Sequence, residues 1–246
     1  GSDICWKKFI NAGEFYKADV LVLGGDLTGK AVVPIVRQAG NTWRVILLQQ
    51  ESTLEGEEEV LEMEKRIRSR GYYPYRTTPE EMQELESTPE LVSTLFRRQV
   101  LTTLEGWLTF ADEKLKNGRT RCFVAPGNDD MFEIDDLVRS SKTVCLAEGQ
   151  VVDLDADHQM ISSGWSNITP WHTSREETEE QLSERYAAMI SRLRDARNAV
   201  FNFHVPPYAS TLDDAPELTA DLRPRYAGNS LVPAGSKACR SAIEQA

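Results

Sequence analysis

Three short polar stretches of the chain contain side chains that can bind a divalent metal ion. Asp26 ends the stretch GGD, Asn128 lies within PGNDD, and His204 begins HVPP. Carboxylate oxygen, amide oxygen and imidazole nitrogen suit borderline ions such as Mn²⁺, Fe²⁺ or Zn²⁺. The glycines beside Asp26 and Asn128 let the backbone and a ligand approach closely. Together the three stretches predict a metal site.

The first stretch also matches a different chemistry, the binding of a nucleoside triphosphate. Residues 24–30 read GGDLTGK and fit the phosphate-loop spacing G-x-x-x-x-G-K. However, Asp26 would place a carboxylate among amides that must hold phosphate, and Ala31 replaces the Ser or Thr that contacts magnesium. Pro34 also weakens the helix that should begin there. A nucleotide site is therefore a remote alternative, and Lys30 is expected at the surface.

Each polar stretch has an ordinary structural explanation when it is taken alone. An Asp after two glycines is commonly a turn residue, and Asn-Asp-Asp is commonly a turn or a helix cap. A single His is often packed or simply exposed. The metal site is favoured because each stretch follows a predicted strand, at 20–23, 121–125 and 200–203. Binding sites in open α/β sheets form at the carboxyl ends of strands.

Strands and helices alternate along the chain. Further strands are predicted at 43–48, 142–147, 150–154 and 158–162, and helices at 3–17, 52–70, 88–115, 132–140 and from 236 onward. Capping-box patterns at 52–55, 78–81 and 174–177 predict three helix starts. The charged section 52–117 reads as a helical insertion or cap. The pattern predicts an α/β layered domain with helices outside the sheet.

Composition excludes several classes of partner. The net charge of −11 over 246 residues opposes nonspecific binding to nucleic acid and to anionic membranes. No apolar run reaches the roughly 18 residues that a membrane-spanning helix needs. The four cysteines are widely separated and form no C-x-x-C pair, which predicts reduced, buried thiols in a cytoplasmic protein.

In their order along the chain, GGD, PGNDD and NFHVPPY resemble the calcineurin-like metallophosphoesterase superfamily. The segment NITPWHTSRE at 167–176, together with FNFHVPPY, resembles an uncharacterised prokaryotic branch of that superfamily. The family's motifs are D-x-H, G-D, G-N-H-[DE], H and G-H-x-H, each at the end of a strand in a β-sandwich flanked by helices. The resemblance implies that Asp26 bridges two metal ions, while Asn128 and His204 bind the second ion. It further implies that a hydroxide activated by two divalent ions (Mn, Fe or Zn) hydrolyses a small phosphomonoester or phosphodiester.

The chain departs from this family at both ends. The opening D-x-H and the closing G-H-x-H are absent, since the three histidines, His158, His172 and His204, cannot supply them. We therefore expect residues 1–246 to be one incomplete phosphoesterase domain, an internal fragment of a longer protein. We expect this fragment to be poorly active alone.

Asp129 is the second departure, because it occupies the place of the family's G-N-H histidine. That match makes Asp129 the candidate catalytic residue. A neutral Asp129 could donate a proton to the leaving oxygen, whereas a carboxylate could hold a water or a metal ion. The same substitution supports an alternative function, a phosphoesterase fold that has lost catalysis and serves as a binding scaffold.

Two further residues are candidates for binding the substrate. Arg175 could pair with phosphate through its planar guanidinium, and His172 lies three residues before it. The alternative explanation for Arg175 is that it lies, with its acidic neighbours, in the solvated first turn of a helix.

Overall fold

The computed structural model describes all 246 residues, which form a mixed α/β structure with 40% helix and several small open sheets. The seven α-helices are α1 (Asp3–Phe15), α2 (Gly56–Ser69), α3 (Pro79–Ser87), α4 (Pro89–Leu115), α5 (Glu133–Arg139), α6 (Glu179–Ile190) and α7 (Lys237–Gln245). The first seven strands are β1 (Val20–Gly24), β2 (Val32–Arg37), β3 (Thr42–Leu47), β4 (Gln50–Glu55), β5 (Tyr73–Thr77), β6 (Arg121–Ala125) and β7 (Val144–Leu146). The other seven are β8 (Val151–Asp153), β9 (Gln159–Ser163), β10 (Ser166–Asn167), β11 (Glu176–Glu177), β12 (Ala199–Phe203), β13 (Asp214–Pro216) and β14 (Leu231–Pro233).

The chain divides into two compact units, neither of which is a continuous segment. Unit 1 comprises Gly1–Leu21, Thr28–Arg121 and Ser140–Val144, and unit 2 comprises Val22–Leu27, Cys122–Arg139 and Cys145–Ala246. That residues 1–246 form a single phosphoesterase domain stays a prediction.

Unit 1 contains a four-stranded sheet in the order β4-β3-β2-β5. The strands β2, β3 and β4 are antiparallel neighbours, whereas β5 lies parallel to β2. Alternate residues of β2, Val33 and Ile35, point into a core that also contains Val60 and Ile67 of α2. The alternate apolar side chains of the strand therefore pack against the apolar stripe of the helix on one face of the sheet.

The prediction of a helix at 52–70 is wrong at its start. Residues 52–55 are not a capping box, because they form the end of β4, and α2 begins only at Gly56. Leu54 pairs with Trp43 of β3 and is buried in the core, so strand pairing outweighs the local capping signal. The section 52–117 consequently contains β5 and the end of β4 besides three helices, and is not wholly helical.

The long helix α4 confirms the helix predicted at 88–115, and it packs through one apolar stripe. Its buried residues are Leu95, Val100, Leu104, Trp107, Leu108, Ala111 and Leu115. Trp107 stacks on Trp6 of α1 with ring centroids 5.7 Å apart, and the Trp6 indole N–H donates to the Trp107 carbonyl at 2.8 Å. These contacts fix α1 along α4 within unit 1.

Unit 2 is built around two small sheets. One has the order β12-β9-β8, with β12 parallel and β8 antiparallel to β9. The other has the order β1-β6-β7, and residues 22–24, 122–125 and 145–146 of its strands belong to this unit. Helices α6 and α7 cover the first sheet, and Ile161, Leu182, Tyr186 and Met189 pack together in that core.

The helix predicted to be capped by residues 174–177 begins four residues later. Thr178 is the N-cap of α6, and it exchanges hydrogen bonds with Gln181 in a complete capping box. Residues 176 and 177 instead form β11, which pairs with β10. Two S/T-x-x-E/Q patterns occur in succession here, and local sequence alone does not distinguish them.

The four cysteines are free thiols, but only two of them are buried as predicted. Burial raises the pKa of Cys122 and of Cys239 to about 12. Cys5 and Cys145 are exposed. Across the whole chain, no helix combines the length and the apolar character that crossing a membrane would require.

Candidate metal centre

The three strands that were predicted to carry the site residues are present. β1 leads to Asp26, β6 leads to Asn128, and β12 leads directly to His204. The first two strands belong to one sheet and β12 belongs to another, so the site is assembled from the ends of two sheets. All three residues lie in unit 2.

Oxygen atoms of Asn128 and Asp26 both face the same ring nitrogen of His204. The Nε2 atom of His204 lies 3.0 Å from Oδ1 of Asn128 and 3.6 Å from Oδ1 of Asp26. The side chain of His204 is 21% exposed and that of Asp26 is 44% exposed, so a solvent ion can reach them. The predicted set of Asp26, Asn128 and His204 is therefore one spatial cluster.

Both ring nitrogens of His204 face oxygen atoms. Nδ1 lies 3.3 Å from the carbonyl oxygen of Gly24, while Nε2 faces the oxygens of Asn128 and Asp26. A neutral imidazole has one N–H, so it cannot donate in both directions. If Nδ1 donates to Gly24, the lone pair of Nε2 points at two oxygens. That tautomer leaves Nε2 available to bind a cation, whereas the other neutral tautomer donates from Nε2 to Oδ1 of Asn128.

The amide of Asn128 is held in one orientation by a second segment of the chain. Its Nδ2 donates to Oγ1 of Thr173 at 2.8 Å, which leaves Oδ1 facing His204. The backbone carbonyl of Asn128 accepts a hydrogen bond from the N–H of Arg175 at 3.0 Å. The oxygen suited to a metal ion is thus the one that the site presents.

The GGD and PGNDD loops approach each other so closely that glycine is required. A Cβ atom on Gly127 would lie 2.4 Å from the backbone nitrogen of Asp26, and one on Gly25 would lie 2.1 Å from Nδ1 of His204. Gly25 has φ +123°, and Asp26 itself has φ +46°, a left-handed conformation that costs a non-glycine residue energy. Such strain is concentrated at functional sites.

Asp130 joins the same two loops, a role that the sequence did not reveal. Its Oδ2 accepts hydrogen bonds from the backbone N–H of Leu27 at 2.9 Å and of Gly127 at 2.7 Å. Asp130 is 1% exposed. The only sequence signal was its place at the end of PGNDD, which is equally typical of a solvated turn.

The candidate catalytic residue Asp129 is exposed, next to the buried Asp130. His172, the candidate substrate ligand, is also exposed and has φ +51° in the loop that precedes Thr173. These positions leave both side chains accessible to solvent, and their roles stay predictions.

Arg175 does not present its guanidinium to solvent or to a bound phosphate. It is 2% exposed, and its Nη2 donates to Oδ1 of Asp135 at 2.7 Å. The same group stacks 4.4 Å above the ring of Phe132 and donates to the carbonyl oxygens of Asp130 and Met131. Arg175 is therefore buried against the backbone of residues 130–131. This position contradicts both the predicted contact with substrate and the explanation as part of a solvated helical turn.

The buried pair gives a stability prediction. Replacing Arg175 by methionine should lower the free energy of unfolding by about 3–5 kcal/mol, because the largely buried carboxylate of Asp135 loses its partner. Urea unfolding of the variant measures this loss. The double variant Arg175→Met, Asp135→Leu should recover much of it, since an apolar pair carries no buried charge. Unchanged stability of the single variant would contradict the packing role.

The loop that follows β1 does not support a nucleotide site. A phosphate loop requires a helix directly after the glycine-rich turn. Residues 24–30 instead run into strand β2 at Val32. The backbone amides of this turn therefore do not begin a helix.

The donor atoms of the cluster are of the chemical types that bind divalent metal ions. No group of three or more His, Cys, Asp or Glu side chains in the chain is arranged to hold a metal ion. The cluster described above has two such residues, Asp26 and His204, and the Asn128 amide supplies the third donor. One carboxylate, one amide oxygen and one imidazole suit Mn²⁺, Fe²⁺ or Zn²⁺. The presence of two ions stays a prediction.

Comparison with known proteins finds a relative that matches about half of the chain. The uncharacterized protein MJ1162 of Methanocaldococcus jannaschii is 31% identical to the chain over 119 residues, which is 48% of this chain and 47% of that protein. The match thus spans about half the length of the relative. No family model matches the chain. No solved structure matches it.

Proposed function

We propose that the chain carries the metal site of a phosphoesterase that hydrolyses a small phosphomonoester or phosphodiester, as the resemblance to calcineurin-like metallophosphoesterases implies. The observation that carries the proposal is the position of His204, whose Nε2 atom faces Asn128 and Asp26 while Nδ1 faces a carbonyl. The meeting of two sheet ends at the site supports the sandwich architecture of that family.

The residues of the chain have distinct roles in this proposal. Asp26, Asn128 and His204 would hold the divalent ion or ions. When bound, such ions polarise a phosphoryl oxygen and lower the pKa of water. A His204 tautomer that donates from Nδ1 to the carbonyl of Gly24 would leave Nε2 as the ligand atom. Asp129, exposed beside Asn128, is the group that would protonate the leaving oxygen.

The scaffold alternative has its own support in the geometry. A doubly protonated His204 paired with Asp26 would satisfy both ring nitrogens without any metal ion. Asp129 in its ionised form would repel a phosphate. A phosphoesterase fold kept for binding would retain these features and hydrolyse nothing.

Metal titration and hydrolysis assays distinguish the two functions. We expect the chain to bind Mn²⁺ or Zn²⁺ in calorimetry, and Asp26→Asn or His204→Ala to weaken that binding by at least about 100-fold. Asp221→Asn, which changes an exposed aspartate paired with Arg223, should leave affinity unchanged. Hydrolysis of p-nitrophenyl phosphate and bis(p-nitrophenyl) phosphate should require added metal and be lost in Asp26→Asn.

Two outcomes would overturn the phosphoesterase proposal. Binding that is equally strong in all variants would place the metal elsewhere. Metal bound at this site without any hydrolysis of either ester would favour the scaffold function.

A further inference from the structure

The orientation of the Asn128 amide is the starting point, because only its oxygen can bind a cation. The amide nitrogen carries two protons and would repel a cation. An asparagine in a loop can turn its amide over unless neighbouring groups prevent it. Thr173 contacts Nδ2 of Asn128 at 2.8 Å, but a hydroxyl can both donate and accept, so this contact alone does not fix the direction.

Glu176 removes that ambiguity. Its Oε1 accepts hydrogen bonds from the Thr173 hydroxyl at 2.6 Å and from the Thr173 backbone N–H at 2.9 Å. The hydroxyl of Thr173 has one proton, and this proton is directed at the Glu176 carboxylate. Oγ1 of Thr173 can therefore offer Asn128 only a lone pair, which selects the amide nitrogen at that contact.

The carboxylate of Glu176 is held in its acceptor form by a second threonine. Thr169 donates its hydroxyl to Oε1 at 2.5 Å and its backbone N–H to Oε2 at 3.0 Å. Burial alone would raise the pKa of Glu176, but the hydrogen bonds from Thr169 and Thr173 outweigh burial and hold the pKa at about 2. At neutral pH the carboxylate is therefore ionised and only accepts hydrogen bonds.

We infer that Glu176 is a positioning residue that acts through Thr173 to fix the Asn128 amide with its oxygen toward His204, and so sets the metal affinity of the site. This inference rests on the proposed function as far as metal affinity is concerned. The orientation itself is a property of the metal-free chain and can be measured without any ion.

The first test measures metal binding by isothermal titration with Mn²⁺. Thr173→Val removes the hydroxyl at nearly constant shape and should weaken binding about 10–100-fold. Thr173→Ser keeps the hydroxyl and should restore affinity to within about threefold. The matched control is Thr219→Val, which removes a threonine hydroxyl that donates to Asp221, outside the Glu176 cluster, and should also stay within about threefold.

A double-variant cycle tests whether Glu176 acts through Thr173. Glu176→Ala should weaken Mn²⁺ binding to the same degree as Thr173→Val, and combining the two should cause little further loss. Multiplied losses in the double variant would show independent roles and overturn the inference. Equal affinity of Thr173→Val and the unchanged chain would overturn it as well.

The second test needs no metal and separates this inference from the proposed function. The side-chain amide protons of Asn128, identified by their absence in Asn128→Asp, should exchange slowly with solvent in the unchanged chain. In Thr173→Val they should exchange several-fold faster, whereas in Thr219→Val they should not. Fast exchange in the unchanged chain would refute the fixed orientation. If exchange follows the prediction but no variant of Asp26 or His204 affects metal binding, the proposed function fails and the orientation stands.

Discussion

Replacing Asp130 by alanine should lower the free energy of unfolding by about 3 kcal/mol. The substitution leaves two buried backbone N–H groups, those of Leu27 and Gly127, without their acceptor, and each such group costs about 1–3 kcal/mol. Because these bonds join the two loops that carry Asp26 and Asn128, affinity for Mn²⁺ should fall as well. Urea unfolding and calorimetry on the same preparation measure the two effects.

Two substitutions serve as controls for Asp130→Ala. Asp130→Asn keeps an acceptor oxygen at the same place and should lose clearly less stability. Asp136→Ala removes an exposed aspartate of α5 whose surface ion pair with Arg139 contributes less than about 1 kcal/mol. A loss below about 1 kcal/mol in Asp130→Ala itself would show that this carboxylate does not hold the loops together.

Replacing Gly127 by alanine should weaken metal binding by about 10–100-fold, because the added methyl group displaces the loops that orient the candidate ligands. The new methyl group would lie 2.4 Å from the backbone nitrogen of Asp26, 2.5 Å from its Oδ1 and 2.9 Å from Cε1 of His204. The first of these atoms belongs to the main chain, so the loops must separate. Calorimetric titration with Mn²⁺ measures the loss.

The matched control for Gly127→Ala is Gly106→Ala. Gly106 lies within helix α4, and a Cβ atom there meets nothing within 4 Å. Alanine at this position should raise stability by about 0.5–1 kcal/mol and leave metal binding unchanged. If Gly127→Ala binds metal as tightly as Gly106→Ala does, the close approach of the loops is not required by the site.

The sequence was sufficient to predict the strands that carry the candidate site and the proximity of the three candidate ligands. Short apolar runs that end in glycine or in a polar cluster predict β1, β6 and β12. The order of GGD, PGNDD and HVPP added the expectation that Asp26, Asn128 and His204 meet. Their contacts in the structure confirm that expectation of proximity.

The errors arose where long-range contacts outweigh local patterns. Ser52 and Glu55 look like a helix cap, yet pairing with β3 makes them part of a strand. Arg175 looks like a phosphate ligand by its chemistry, but Asp135 and Phe132, distant in sequence, draw it into the interior. The bond from Asp130 to Leu27 spans 103 residues, and no local rule predicts such a partner.

The segment from the end of β10 to the start of β11 contains two kinds of side chain, those that support the candidate site and those that face solvent. Thr169, Thr173 and Glu176 form its inner hydrogen-bonded frame, whereas Ile168 and Trp171 project outward with 58% and 64% of their surface exposed. The outer positions can therefore accumulate substitutions during evolution, or be randomised in a library, while the frame keeps Asn128 in place. New recognition properties could arise at this loop without loss of the fold beneath it.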